Sequence, residues 1–355
     1  MKKVAVIGSV GVPANYGGFE TLVENIIGDI GSLEVEYTVF CSAKRYYYKP
    51  KTYKNAKLKY INLNANGIQS ILYDGLSLMQ AIKGYDVVLV LGISGGVFMP
   101  LFKLLSKAKL ITNVDGLEWK RGKWRGFARM FLRLSEEFVL KFSDIVIADN
   151  KAIVNYIKKR YKKDVELIAY GGDHAIRAVV NNETEKLLSL YKLECNKYTI
   201  TVCRIEPENN CDMILRSVAE SRVRHIMIGN WTHSKYSLDL REKYSNYKNI
   251  TLCDAIYDLD VLYALRSNAK YYIHGHSAGG TNPSLVEAMF CGCNILAFDV
   301  EYNRATTENA ANYFKNSIDL SSLLTDNINN SKEMVEIAQK QYKWSDIAKA
   351  YQSLY

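Results

Sequence analysis

The sequence predicts an α/β protein of two Rossmann-like domains whose parallel sheets face a central cleft. Three observations predict it. Short apolar runs rich in Val and Ile alternate with helical stretches, as in parallel sheets covered on both faces. The alternation stops at a glycine pair, Gly171-Gly172, and then restarts. The 355 residues are also more than one core comfortably holds.

The first series reads "KVAVIG", "YTVFC", "LKYINL", "DVVLVLG", "AKLITNV" and "DIVIADN". The second reads "YTITVCR", "RHIMIGN", "NITLC", "AKYYIHG" and "NILAFD". The expected domains are therefore 1–171 and 172–343. The closing "KWSDIAKAYQSLY" reads as a helix over 344–355, capped by Ser345 and packing back on the first domain. Ligands of such sheets bind outside the carboxyl ends of strands. Four loops at those ends stand out: "GSVGVPANYGGFETLVENI", "NVDGLEWKRGKW", "CRIEPENN" and "HGHSAGGTNPSLVE". The first has its glycines at Gly8, Gly11, Gly17 and Gly18, which is not the G-x-G-x-x-G of dinucleotide enzymes. No G-x-x-x-x-G-K-[ST] is present either, so a P-loop nucleotidase is disfavoured.

The last loop says most. Gly279-Gly280 permit close backbone approach, Asn282 is a good helix N-cap, and Pro283 suits the first helical position. The helix start is then a seat for an anion, formed by Gly280, Thr281, Asn282 and Ser284. Glu287 sits just inside the helix, and its side chain leans back toward that seat. A carboxylate beside an anion makes sense if it holds hydroxyls, so the expected ligand is a nucleoside diphosphate with Glu287 on its ribose. The plainer reading is a helix carboxylate favoured by the dipole.

Charge and cysteines narrow the setting. The net charge of +9 favours polyanionic surroundings: nucleic acid, acidic lipid or diphosphates. Much of it lies in Lys44–Tyr60 and in "WKRGKWRGFARMFLRL", Trp119–Leu134. The latter reads equally as an amphipathic basic helix for a membrane interface and as a solvated face over a core stripe. Seven scattered cysteines fit a reducing cytosol, and no apolar run is long enough to span a bilayer. His274 and His276 stand two apart without a third ligand, so strand-end hydrogen bonding is expected rather than a metal. Asp258-x-Asp260 sits at a helix start, where acids are common, and no metal is expected there.

"NYGGFETLVENI", "RIEPENN" and "GGTNPSLVEAM", in this order, resemble the retaining GT-B glycosyltransferases of the large group 1 family. More narrowly, with "DGLEWKRGKW", they resemble bacterial rhamnosyltransferases of capsule and cell-wall polysaccharide assembly. The resemblance spans nearly the whole chain. It implies transfer of a sugar from a nucleotide-sugar donor, dTDP-rhamnose, to a polyprenyl-diphosphate-linked saccharide, without a metal or other cofactor, at the inner face of the plasma membrane. It implies donor contacts from Gly17, Gly18, Arg204, Glu208, Asn209 and the Gly280–Glu287 set. Asp115 and Arg204 are the catalytic candidates. Glu118, Trp119, Lys120, Arg121, Lys123, Trp124 and Arg125 are candidates for the acceptor or an anionic membrane surface. Two departures follow: the first of the family's paired carboxylates falls on Gly279, and its diphosphate lysine near Asn210. Three alternatives stay open: a UDP- or GDP-sugar donor, a sugar-nucleotide epimerase, and a basic nucleic-acid-binding protein. No recognised nucleic-acid-reading module is visible.

Overall fold

The computed structural model describes residues 1–14, 17–28, 35–120, 126–178 and 181–355, apart from the side chains of Lys120, Asn181 and Asn182. It forms two compact units, Met1–Tyr170 with Trp344–Tyr355, and Gly171–Lys343.

The first unit runs β1 (Lys2–Ile7), α1 (Gly18–Gly28), β2 (Val35–Ser42), β3 (Thr52–Tyr53), β4 (Ala56–Ile61), α2 (Gln69–Gln80) and β5 (Val87–Leu91). It continues through α3 (Met99–Leu105), β6 (Lys109–Asn113), α4 (Gly126–Phe142), β7 (Ile145–Ala148), α5 (Lys151–Tyr161) and β8 (Glu166–Leu167). The second contains α6 (Asn181–Leu190), β9 (Tyr198–Val202), α7 (Cys211–Ser221), β10 (Arg224–Ile228), α8 (Lys235–Tyr244), β11 (Ile250–Cys253) and α9 (Leu259–Ser267). After these come β12 (Tyr271–His274), α10 (Pro283–Phe290), β13 (Ile295–Phe298), α11 (Glu301–Thr306), β14 (Asn312–Phe314), α12 (Ser317–Thr325) and α13 (Ser331–Gln341). Finally α14 (Trp344–Ser353) returns to the first unit, starting one residue before the cap read from the sequence.

The first sheet has the order β3-β4-β2-β1-β5-β6-β7-β8, parallel except for β3, and the second is wholly parallel with the order β11-β10-β9-β12-β13-β14. The predicted fold class is the observed one. In each sheet the strand order reverses direction at one place, between β1 and β5 and between β9 and β12. Loops leaving the two strands diverge there and open a crevice. That reversal fixes where each unit can bind something.

Burial follows the pattern of the sequence. Every residue of β5, "VVLVL", is buried, as a central parallel strand requires. On α14, Trp344, Ile347 and Tyr351 recur at helical spacing and enter the core with Val4 and Val39. The Asn113 amide donates to the Tyr351 hydroxyl at 2.6 Å, and Lys109 Nζ to the Leu354 carbonyl at 2.6 Å.

One buried carboxyl group sets a stability expectation. Asp74 on α2 is 2% exposed and accepts a hydrogen bond from Ser94. Burial raises its pKa from 3.8 to about 7, against the lowering by Ser94. The folded protein thus keeps a proton that the unfolded chain releases, so stability present below about pH 4 is lost as pH rises toward 7. Asp74→Asn should match the wild type in unfolding free energy at pH 4 and exceed it at pH 8, by an amount on the order of 1–3 kcal/mol. Equal pH dependence of the two melting curves would show that Asp74 is not the group responsible.

Candidate functional site

In the second unit the loops after β9 and β12 meet at the reversal point. A side chain on Gly275 would place its Cβ 2.2 Å from the Asn209 carbonyl oxygen, so only glycine allows this contact. The Asn210 amide donates to the Gly275 carbonyl at 2.8 Å, and the Ser277 N–H and hydroxyl both donate to the Glu208 carbonyl, at 2.9 and 2.8 Å. Asn209, 1% exposed, donates its amide to the Arg204 carbonyl at 2.8 Å. Glu208 and Asn209 thus serve the loop's own construction through their backbone and amide. Asn210, where the resemblance leads one to look for a lysine, adopts a left-handed backbone at φ 52° and locks one loop to the other.

The helix after β12 begins as the sequence predicts. Asn282 is its N-cap, accepting the Ser284 N–H at 3.0 Å, and Pro283 is its first residue. The Leu285 and Val286 N–H groups go to the Asn282 carbonyl at 3.1 and 3.2 Å. The first-turn donors of α10 are therefore occupied, which corrects the expectation that they stand free for an anion. Ser284 is also engaged through its hydroxyl, which donates to the Val202 carbonyl at 2.7 Å and meets the Tyr272 hydroxyl. Donors for an anion then fall to the preceding loop. Gly279 has φ 129°, and a Cβ there would meet nothing within 4 Å, so that position opens onto free space. Thr281 is buried at 4%.

Glu287 is the electrostatic centre. Its Oε2 lies 2.7 Å from Nη2 of Arg266, a guanidinium 1% exposed, and its Oε1 lies 3.5 Å from His174 Nε2. Burial alone would raise the Glu287 pKa, but the charge of Arg266 and the contact with His174 outweigh it and hold the carboxyl below its ordinary value. Its ionised state is thereby secured. His174 arrives on a 3₁₀ turn, Asp173–Ala175, that rests on α10 because Gly172 lacks a side chain. A Cβ on Gly172 would fall 2.7 Å from Val286 Cγ1. Neither partner was expected from the sequence. Arg266 lies in an apolar helical stretch with no motif to mark it, and "YGGDHA" reads there only as a joint.

The other candidates are more exposed or serve the fold. Arg204 has its side chain 43% exposed and its guanidinium 3.9 Å from Glu208 Oε1, a loose contact. His274 does not make the expected strand-end hydrogen bonds. It is 1% exposed, stacks on His276 at 4.3 Å, and neither ring nitrogen has a hydrogen-bond partner among the described residues. Burial lowers its pKa to about 3, so it stays neutral. Asp258 caps α9 with hydrogen bonds from Asp260 and Val261, as an acid at a helix start does.

In the first unit, Gly17 has φ 131°, and a Cβ there would fall 1.9 Å from Glu20 Oε2. Gly18 opens α1. Glu20 and Glu24, one turn apart on α1, accept the Val10 and Ala14 N–H groups at 2.6 Å each and fasten the loop after β1. Asp115 holds a left-handed backbone at φ 57°, with its N–H donating to Asn113 Oδ1 at 2.9 Å. The Glu118 N–H donates to the Gly116 carbonyl at 2.9 Å. Trp119 is 9% exposed and donates its indole N–H to Glu136 at 3.0 Å, so its ring is committed to the core rather than offered to a membrane surface. The side chain of Lys120, and Arg121, Lys123, Trp124 and Arg125 entirely, lie outside the described residues.

Among the described residues no group of three or more His, Cys, Asp or Glu could hold a metal ion, and no helix is long and apolar enough to cross a membrane. Comparison with known proteins places this geometry. Residues 184–344 match the family Glycosyl transferases group 1, and residues 1–173 match Domain of unknown function (DUF1972). Among solved structures, sucrose-phosphate synthase from Thermosynechococcus elongatus is similar at 14% identity and TM-score 0.82, over 100% of this chain and 98% of that one. Anabaena HepE in complex with UDP is similar at 14% identity and TM-score 0.74, over 100% and 99%. A glycosyltransferase from Rickettsia africae is similar at 13% identity and TM-score 0.75, over 100% and 97%. At these identities the likeness is one of fold. No curated protein matches the chain's sequence. The chain has the GT-B fold, and its residues 184–344 match the family Glycosyl transferases group 1.

Proposed function

We propose that the protein is a retaining glycosyltransferase that moves L-rhamnose from dTDP-rhamnose to a polyprenyl-diphosphate-linked saccharide in bacterial surface-polysaccharide synthesis, without a metal. One observation carries the reading: an ionised, half-enclosed carboxylate, Glu287, beside a glycine loop at the strand-order reversal of a group 1 glycosyl transferase domain. In this reading Glu287 accepts a hydroxyl of the nucleotide sugar ring. Arg204 and the loop at Gly279–Thr281 face the diphosphate, and Gly17 and Gly18 are the donor contacts assigned to the first unit. Asp115 meets the sugar or the acceptor.

In the transfer, the bond between the anomeric carbon and the diphosphate oxygen breaks while the bond to the acceptor oxygen forms on the same face. The acceptor proton passes to the leaving diphosphate, so no dedicated base is needed. The chain's own task is to position both substrates and to meet the charge growing on the leaving group. A UDP-sugar donor is the second reading. It is favoured by the likeness to Anabaena HepE, whose structures hold UDP and UDP-glucose. Thermal shifts against dTDP, UDP and GDP separate the two, since a bound nucleotide stabilises in proportion to the logarithm of its concentration over Kd. Transfer assays with the preferred nucleotide's sugars then fix the donor. Release of an epimerised sugar from donor alone would replace the transferase reading with an epimerase.

Glu287→Gln should do two things. It should weaken donor binding by about 1.5–3 kcal/mol, the scale of a charged hydrogen bond. It should also lower stability by roughly 3–5 kcal/mol, because Arg266 is left buried without its counter-charge. Calorimetric titration of the folded variant at low temperature reads the first effect apart from the second. Unchanged nucleotide affinity would remove Glu287 from the donor site.

Arg204→Ala should lower kcat by about 10²–10³-fold, the loss seen when one transition-state donor is removed. Arg204→Lys should recover only part of this, because a point charge does not reproduce a planar two-pronged contact. A folded Arg204→Ala enzyme with wild-type kcat would move the diphosphate clamp elsewhere.

A further inference from the structure

Three neighbouring helices of the first unit present apolar side chains to solvent. Strands β4, β5, β6 and β7 advance in one direction across the sheet, so right-handed crossovers put α2, α3 and α4 on the same face. The connection from β1 to β2 runs the other way, and α1 lies opposite, packed with α14. The three helices are locked side by side at the 3₁₀ turn Gly96–Phe98. A Cβ on Gly75 of α2 would fall 2.6 Å from the Phe98 ring, and one on Gly96 would fall 2.4 Å from the Ser135 carbonyl of α4.

On this shared face each helix carries its own stripe. At α2, Ile68, Leu72 and Leu76 recur every four residues and are 86%, 57% and 49% exposed. Leu101, Leu104 and Leu105 stand exposed on α3, with Leu104 81% exposed. Phe127, Met130 and Leu134 follow on α4, with Phe127 75% exposed. Scattered exposed leucines need no explanation, but nine exposed apolar side chains on three neighbouring helices of one sheet face are more than scatter.

The charges around it are mainly positive. Exposed lysines stand at or just beyond the carboxyl end of each helix: Lys83 after α2, Lys107 after α3 and Lys141 in the last turn of α4. Arg129 and Arg133, one turn apart on α4, hold their guanidinium groups over the Trp119 ring at 5.5 and 5.2 Å. The exposed sides of α2 and α3 bear no carboxylate, and that of α4 bears one, Glu137. An apolar face bordered mainly by cations matches a bilayer interface, where acyl chains take the apolar side chains and anionic headgroups take the lysines and arginines. A second copy of the chain fits poorly, because a two-fold contact through this face would set its cations against themselves.

We propose that the α2–α3–α4 face docks on an anionic phospholipid bilayer, which covers the three apolar stripes and pairs with the surrounding lysines and arginines. The inference extends the proposed lipid-linked acceptor by naming the surface through which the enzyme meets lipid.

Co-sedimentation with phosphatidylcholine vesicles, with and without phosphatidylglycerol, tests it on the full chain. The wild type should partition at least ten-fold more strongly onto vesicles containing phosphatidylglycerol, and added salt should weaken the binding. The triple variant Leu72→Gln, Leu104→Gln, Phe127→Gln changes only exposed positions and should lose at least ten-fold in partitioning, with an unchanged melting temperature. Arg129→Gln with Arg133→Gln should lose the preference for phosphatidylglycerol. A wild type that ignores these vesicles, or a triple variant that binds them as well as the wild type, overturns the proposal. So does a wild-type dimer in light scattering that the triple variant dissociates while vesicle binding persists. Nucleotide thermal shifts on the same samples keep the readings apart. Vesicle binding without any nucleotide shift defeats the transferase reading alone, and the reverse defeats the docking surface alone.

Discussion

The second unit is organised around the pairing of Glu287 with Arg266. A guanidinium 1% exposed cannot remain in an apolar interior without a counter-charge, and Glu287 supplies it at 2.7 Å. That requirement fixes α9, which carries Arg266, against α10, which carries Glu287. It also explains why the chain enters the unit through Gly171-Gly172. Only a glycine at 172 lets the following turn lie on α10 and bring His174 to 3.5 Å from the free end of the carboxylate. The result is a carboxylate kept ionised, held by Arg266, and 16% exposed. A group so placed can accept a hydrogen bond from a ligand hydroxyl without first reorganising, the condition that makes a polar contact effective in binding.

The fold was legible because its signals are local and repeated. Val- and Ile-rich runs separated by helices have few solutions other than parallel sheets, and "TNPS" marks a helix start through the backbone chemistry of Asn and Pro alone. The cap at Asn282 formed as the residues require. Less was legible where partners are distant in sequence. Arg266 and Glu287 stand 21 residues apart on different helices, and nothing in either segment announces the other. Trp119 shows the opposite failure. Set among lysines and arginines it reads as an interfacial aromatic, yet its indole is drawn inward by Glu136, which also takes hydrogen bonds from Tyr156 and Tyr161 at 3.0 and 2.7 Å. A buried carboxylate 17 residues further along the chain overrides the local pattern, and periodicity has no means of seeing it.

Glycines were legible in position and less so in purpose. The loop after β1 looks like a cradle for a ligand, and some of its glycines answer to the chain itself. Gly8 passes the Leu91 carbonyl, with a hypothetical Cβ 2.1 Å from its oxygen, and Gly17 clears the Glu20 carboxylate. Gly279 is different. It has a backbone at φ 129° that disfavours any other residue, and no neighbouring atom demands the missing side chain. Conformation, rather than crowding, selects glycine there, and the space beside it stays open.

The distribution of cations sharpens what that open space asks of the protein. Arg266 is committed to Glu287, and Asn210 spends its amide on the Gly275 carbonyl. The α10 first-turn N–H groups are committed to Asn282. In the proposed reading an anion bound at this loop pair draws on Arg204, whose contact with Glu208 is a loose 3.9 Å. A guanidinium that is 43% exposed and loosely paired can swing to a ligand at little cost, since the contact it gives up is a solvent-screened one. The backbone around it is the opposite of loose: the Arg204 carbonyl accepts the Asn209 amide at 2.8 Å and the Glu206 N–H at 2.9 Å. In the proposed transfer, a rigid base with a loosely paired guanidinium lets one side chain follow charge as it moves from a bound diphosphate onto a departing one. In that proposed transfer the site has to stabilise the charge-separated state more than the resting one, which is what catalysis by electrostatics requires.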